Sequence, residues 1–180
     1  ETAFLAASAA FHHRARRLRL AFVFGSPLLI ALGVVVALLI LRAALQREID
    51  EHLAAASGQI AEAARLDAEV EDHREAAFAA FDRGDEVAGE AAWRRAIRSA
   101  ADVQHDLVLA ATGLETARGL DVARDDVRSA LADVLVQQAA LAERDHDPAL
   151  VETLLLRVPV YDPDGARMAR WHTPASVDFA

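Results

Sequence analysis

The segment Leu20–Leu41, LAFVFGSPLLIALGVVVALLIL, decides how the rest of the chain is read. It holds twenty-two residues without a single charge. At about 1.5 Å of rise per residue, a helix of this length covers roughly 33 Å, close to the hydrocarbon thickness of a bilayer. A core helix of a soluble domain keeps a polar stripe, whereas this segment is apolar on every side except at Ser26. A signal peptide is the main rival. Its apolar region runs only about 7–15 residues and ends at a small-x-small cleavage site. Here the run is longer, and LRAALQREID follows it with Leu45 where a small residue is needed. The segment therefore predicts a retained transmembrane helix. Pro27 lies in its first third, where proline is tolerated. Ala21 and Gly25, then Gly33 and Ala37, stand four apart, a spacing that permits close helix pairing but is common in single spans too.

Arginine placement predicts the orientation. HHRARRLRL puts Arg14, Arg16, Arg17 and Arg19 just before the span, while only Arg42 and Arg47 follow it closely. The positive-inside rule then places residues 1–19, a basic juxtamembrane helix, in the cytoplasm, and the chain from Arg42 onward outside. The same four arginines could meet anionic lipid headgroups, though topology signalling alone accounts for them equally well.

Composition narrows the function classes. Nineteen Arg supply all the fixed positive charge, and the chain has no Lys, Asn or Cys. Without Cys there is no disulfide, thiolate nucleophile or zinc–thiolate site, and without Asn there is no N-glycosylation sequon. Residues 1–41 carry four Arg and one acid, net +3; residues 42–180 carry fifteen Arg and twenty-seven acids, net −12. So acidic a body argues against nucleic acid as a partner, because phosphate contacts need a positive face.

Helical periodicity continues past the apolar segment. Leu45, Ile49, Leu53, Ala56, Ile60, Ala63, Leu66, Val70, Ala77 and Phe81 fall three, four or seven apart on one stripe, which Gly58 weakens only locally. This predicts one rod from the membrane to about Phe81. FDRGDE interrupts it, with Gly84 suited to a helix stop and Asp85 to an N-cap. A second helix carries Trp93, Ile97, Ala100, Val103, Leu107, Ala110, Leu114 and Ala117, with Trp93 expected in the core and a stop at Gly119. A third carries Val127, Leu131, Val134, Leu135, Gln138 and Leu141. Asp147 and Pro148 then read as N-cap and first position of a short fourth helix, ALVETLLLR. Beyond Arg157 the period changes. VPVYDPDGARMARWHTPASVDFA reads as a β-hairpin about a type I turn at Asp162-Pro163-Asp164-Gly165. A lone hairpin is marginal in water, so these strands are expected to pair with a domain beyond Ala180. The missing Met and the abrupt ends predict a piece excised from a longer protein.

Two resemblances follow from particular residues. FDRGDEVAGEAAWRRAI resembles the turn and second helix of a tetratricopeptide repeat, through Phe81, Gly84-Asp85, Trp93 and Ala96-Ile97. GLDVARDDVRSALADVLVQQAALAERDHD resembles the start of another, with Val122 in place of the usual Pro. The helices are too long for tidy 34-residue units, so the likeness covers about residues 75–146. ETAFLAAS, the Arg-rich helix and the span resemble the exit of a bacterial STAND-type NTPase module into the membrane. VETLLLRVPVYDPDGARMARW resembles the segment before a formylglycine-generating-enzyme-like (sulfatase-modifying-factor) domain in large bacterial signalling proteins, which often begin with a serine/threonine kinase or a STAND NTPase. The resemblance implies a connector between a cytoplasmic module and an extracytoplasmic domain. The chemical motifs of those families are absent here: no glycine-rich phosphate loop, no kinase loop, no cysteine pair.

The side chains that could carry chemistry are scattered. His12, His13, His52, His73, His105, His146 and His172 include no HExxH and no i, i+4 pair with a carboxylate. Glu143–Asp147, ERDHD, gathers acids around a histidine but lacks the ligand spacing and glycine of a calcium loop. No catalytic, cofactor-binding or metal residue is assigned, and no cofactor is expected.

The expected architecture is all-α. Residues 1–19 form the basic helix, 20–41 the span, 42–157 an antiparallel, tetratricopeptide-like helical domain, and 158–180 the β-hairpin. The expected role is a membrane anchor and spacer. Its partners are lipid, other domains of the same polypeptide, and a second copy or another protein docked on the helices. The alternative is an extracytoplasmic ligand-sensing bundle, for which Arg94, Arg95 and Arg98 are the only visible cationic cluster.

Overall fold

A computed structural model of the chain describes the backbone of residues 2–173 and the side chains of residues 29–173. All regular structure among the described residues is helical: α1 (Thr2–Asp82), α2 (Glu86–Leu120), α3 (Asp125–Arg144), α4 (Pro148–Tyr161) and α5 (Ala166–Trp171). The all-α expectation is therefore met. The chain divides into two compact units, Glu1–Arg47 and Glu48–Ala180.

The first unit is helical, and its described side chains from Leu29 to Leu41 lie open, at 46 to 70 % exposure for the large ones.

The second unit is built on an αα-hairpin. Gly84 takes a left-handed φ of 75°, which glycine adopts without steric cost, and Asp85 N–H donates back to the Ala80 carbonyl at 3.0 Å. The Asp85 carboxylate then accepts from Ala88 N–H at 3.0 Å and starts α2. Both signals stood in FDRGDE. The two helices meet along a seam of strict sevenfold spacing. Ile49, Ala56, Ala63, Val70 and Ala77 on α1 are buried, as are Gly89, Ala96, Val103, Ala110 and Ala117 on α2. Most are small, so the backbones approach closely; a Cβ on Gly113 would lie 3.8 Å from the His52 carbonyl oxygen. Ala63, Val70, Ala96 and Val103 share one core cluster, which fixes the antiparallel register.

The α3 helix lies on one face of this hairpin. Arg124 just before it bonds Asp50, and Arg144 at its end bonds Asp67, so α3 runs parallel to the facing part of α1. Val127, Leu131, Val134, Leu135 and Ala139 are fully buried, because α3 packs on both α2 and α4. The α4 helix returns antiparallel, started by Asp147, whose carboxylate accepts from Leu150 N–H at 3.0 Å, with Pro148 in the first turn. It is tied to α2 by Arg157 with Glu115 and by Arg118 stacked 4.8 Å over the Tyr161 ring.

Three expectations need correction. The hairpin at 158–180 is absent from its described part: residues 158–161 finish α4 and Ala166–Trp171 are α5, while 174–180 lie outside the described residues. The helical spacing Leu154–Val158 continues to a fully covered Val158, and that burial overrides the strand preference of VPVY. Pro159 lies inside α4, where it gives up the hydrogen bond to the Leu155 carbonyl, a local cost that the burial of Val158 outweighs. The turn itself is present, with Gly165 N–H donating to the Asp162 carbonyl at 3.0 Å, but it joins helix to helix. Second, α2 runs through Gly119 and ends at Asp121, whose carboxylate accepts from Ala123 N–H. Third, Trp93 is not in the core; it is 36 % exposed.

Candidate functional site

The apolar segment is the first candidate. Among the described residues, one helix near the N-terminus is long and apolar enough to cross a membrane. Its most apolar 18-residue window has a mean hydropathy of 2.4, and none of that window is buried. Leaving a Leu or Ile side chain in water forgoes about 1.5–3 kcal/mol each. Leu29, Ile30, Leu32, Leu38, Leu39, Ile40 and Leu41 are all more than half exposed, an apolar surface of the kind that marks membrane or protein contact sites. Arg14, Arg16, Arg17 and Arg19 belong to α1, but their side chains lie outside the described residues.

The turn Asp162-Pro163-Asp164-Gly165 is the second. Gly165 has a φ of 67°, and the turn folds α5 back so that Arg167 reaches α3. Asp162 is 2 % exposed, the only buried polar residue among the described residues. Its carboxylate accepts from the Arg167 backbone N–H at 2.8 Å, from Met168 N–H at 3.4 Å and from the Arg167 guanidinium at 3.1 Å. The same guanidinium donates to Asp133 at 2.6 and 2.8 Å, to the Ser129 hydroxyl at 2.6 Å and to the Ser129 carbonyl at 3.1 Å. Burial opposes charge on Asp162, yet the Arg167 amide and guanidinium hold its carboxyl below the usual carboxylate range. Asp133 and Asp162 together hold Arg167 charged more firmly than usual. With every strong group paired, this cluster can fasten α5 to α3 but offers no free acid, base or nucleophile. The sequence showed Asp162 as a turn residue; its tie to Arg167 left no local signal beyond an arginine five positions on.

The third is an open groove of about 790 Å³ along the outer face of α4, floored by Val151, Leu155, Leu156, Pro159 and Met168. Glu143, Asp147 and Glu152 stand on its rim with His146 and His172. His146 takes a left-handed φ of 59° at the α3–α4 turn, and its Nδ1 lies 3.0 Å from the Arg144 carbonyl. Within ERDHD the Asp147 carboxylate caps α4, and backbone bonds from Asp145, His146 and Asp147 close the turn. Among the described residues, no group of three or more His, Cys, Asp or Glu side chains is placed to hold a metal ion. Arg94, Arg95 and Arg98 are all exposed on α2.

Comparison with known proteins adds no relative: no family model, no curated protein and no solved structure matches this chain.

Proposed function

We propose that the chain is a single-span membrane anchor joined to an extracytoplasmic helical spacer and interaction module. The observation that carries this reading is the uncharged run Leu20–Leu41, exposed over its described side chains from Leu29 onward, set between four upstream arginines and a strongly acidic helical body. The arginine bias supports an N-terminus in the bacterial cytoplasm and residues 42–180 outside the inner membrane. The pairing of α1 with α2 and of α3 with α4 as antiparallel hairpins supports a tetratricopeptide-like description. The sequence likenesses support a place between a cytoplasmic kinase or STAND NTPase module and an extracytoplasmic formylglycine-generating-enzyme-like domain. On this reading the chemistry of the parent protein lies outside these residues, and their own work is to tether, space and bind.

Reporter fusions after Arg19 and after Gln46 test it. A cytoplasm-active reporter should work only at Arg19 and an export-dependent reporter only at Gln46. Activity of one reporter at both positions would remove the anchor from consideration.

The apolar α4 groove favours a second reading, a ligand-sensing bundle. A thermal-shift screen of the intact chain should then find a small ligand whose stabilisation disappears in Leu155→Glu. Failure of any such ligand to raise the midpoint leaves the anchor-and-spacer reading.

A further inference from the structure

The α3 helix stops at Arg144, beside Asp67, while α1 and α2 continue past it to the turn at Gly84 with no other described helix laid on that face. The hairpin face that α3 covers does not change character there; it merely loses its cover. Leu107 and Leu114, four positions past seam residues, are 3 % and 0 % exposed, and Trp93, two heptads further out on the same stripe, is 36 % exposed. Around it Phe78 and Ile97 are 58 % and 56 % exposed, and the Phe78 ring stands 6.0 Å from that of Trp93. With Phe81 these side chains leave on the order of 400 Å² of apolar surface in one patch, a size that marks interaction sites.

We infer that this face is covered by the same face of a second copy of the chain, about a two-fold axis running along the hairpin. Charge placement selects this occupant. Arg94 on α2 and Glu75 on α1 hold equivalent edge positions, each five residues past a seam residue, Gly89 and Val70. The seam register sets Arg94 level with residue 72 of α1, within one turn of Glu75. Inside one copy the two point to opposite edges, and neither has an ion-pair partner among the described residues. The proposed axis lays α1 of one copy over α2 of the other with both hairpins pointing the same way. Arg94 then meets Glu75 of the second copy, twice. A two-fold axis across the hairpin would instead set Arg94 against Arg94. Two apolar patches of this size, with their charged rims, reach about the 1,000 Å² that a specific interface needs. The inference goes beyond the anchor reading and holds whether or not Leu20–Leu41 lies in lipid.

The chain has no cysteine, so introduced ones report cleanly. In the full chain in detergent, Glu75→Cys with Arg94→Cys should give a disulfide-linked dimer on mild oxidation. Either substitution alone should not, because identical edges lie at opposite corners of the assembly, beyond disulfide reach. Arg94→Glu should weaken self-association by roughly tenfold, and Glu75→Arg with Arg94→Glu should restore it, both read by light scattering at unchanged helicity. These rim positions are exposed, so folding is not at stake. Cross-linking by the single variants, its absence in the double variant, a monomeric wild-type chain, or association indifferent to Arg94→Glu would each overturn the inference.

Discussion

Two residues show how much one side chain can depend on its neighbours. Gly89 stands at a seam position where a Cβ would run into the Phe81 ring. Gly89→Ala should therefore cost about 1–2 kcal/mol, because the added carbon overpacks the contact. In a Phe81→Ala background the same change should stabilise the unit by up to about 1 kcal/mol, since the clash is gone and a glycine has left a helix. Denaturant unfolding of the four variants measures the cycle, and equal costs in both backgrounds would refute the packing explanation. Asp162 sets the second case. Its carboxyl is held below the usual range, so its contribution to stability is present above the unfolded-state value and is lost as pH falls through the folded one. Asp126, lowered from 3.8 to about 2, chiefly by its hydrogen bond from Arg124, acts in the same direction. The helical unit should thus hold its stability down to about pH 4 and lose it between there and pH 2. Arg167→Leu removes the guanidinium from Asp162 and should shift that acid transition upward, with faster hydrogen exchange across residues 166–171. An unchanged acid midpoint would show that the ion cluster does not fasten α5.

At the scale of elements, the sevenfold seam governs the hairpin. Sequence periodicity placed Ile49, Ala56, Ala63, Val70 and Ala77 on the inner stripe and set the break at Gly84, and both hold in the structure. The larger stripe members Leu53, Ile60 and Leu66 are only half-buried, because the small residues occupy the closest contact and the large ones flank it. Ala63→Leu should destabilise the unit by about 1–3 kcal/mol, while Ala61→Leu, at an exposed position two residues away, should stay within about 0.5 kcal/mol. Thermal unfolding distinguishes them, and similar effects at both sites would count against a close-packed seam. The strand expectation for VPVY failed for a related reason. Val158, Val160 and Tyr161 constitute a weak local preference for strand, and burial of Val158 beneath the bundle is a stronger, non-local one.

For the whole molecule, the governing quantity is the cost of charge in the apolar segment. An arginine near the centre of a spanning helix costs about 2.5–3.5 kcal/mol on insertion scales. On the proposed anchor, Ile30→Arg with Val35→Arg should therefore divert the chain from the membrane to the soluble fraction, whereas Arg42→Ala, outside the apolar run, should not. Retention of the double variant in the membrane after carbonate extraction would argue that something other than this helix anchors the chain.

What the sequence determined by itself was everything that depends on near neighbours: helical period, caps at Asp85 and Asp147, the turn at Asp162–Gly165, and an uncharged stretch long enough to span a bilayer. Tertiary structure alone decided which parts of those stripes are covered. A 20-residue α3 cannot shield the whole of a 35-residue α2, so the same repeating pattern that buries Leu107 and Leu114 leaves Trp93 half open. Nothing local to Trp93 records where α3 ends. Burial is a property of what lies opposite, and helices distant in sequence supply it.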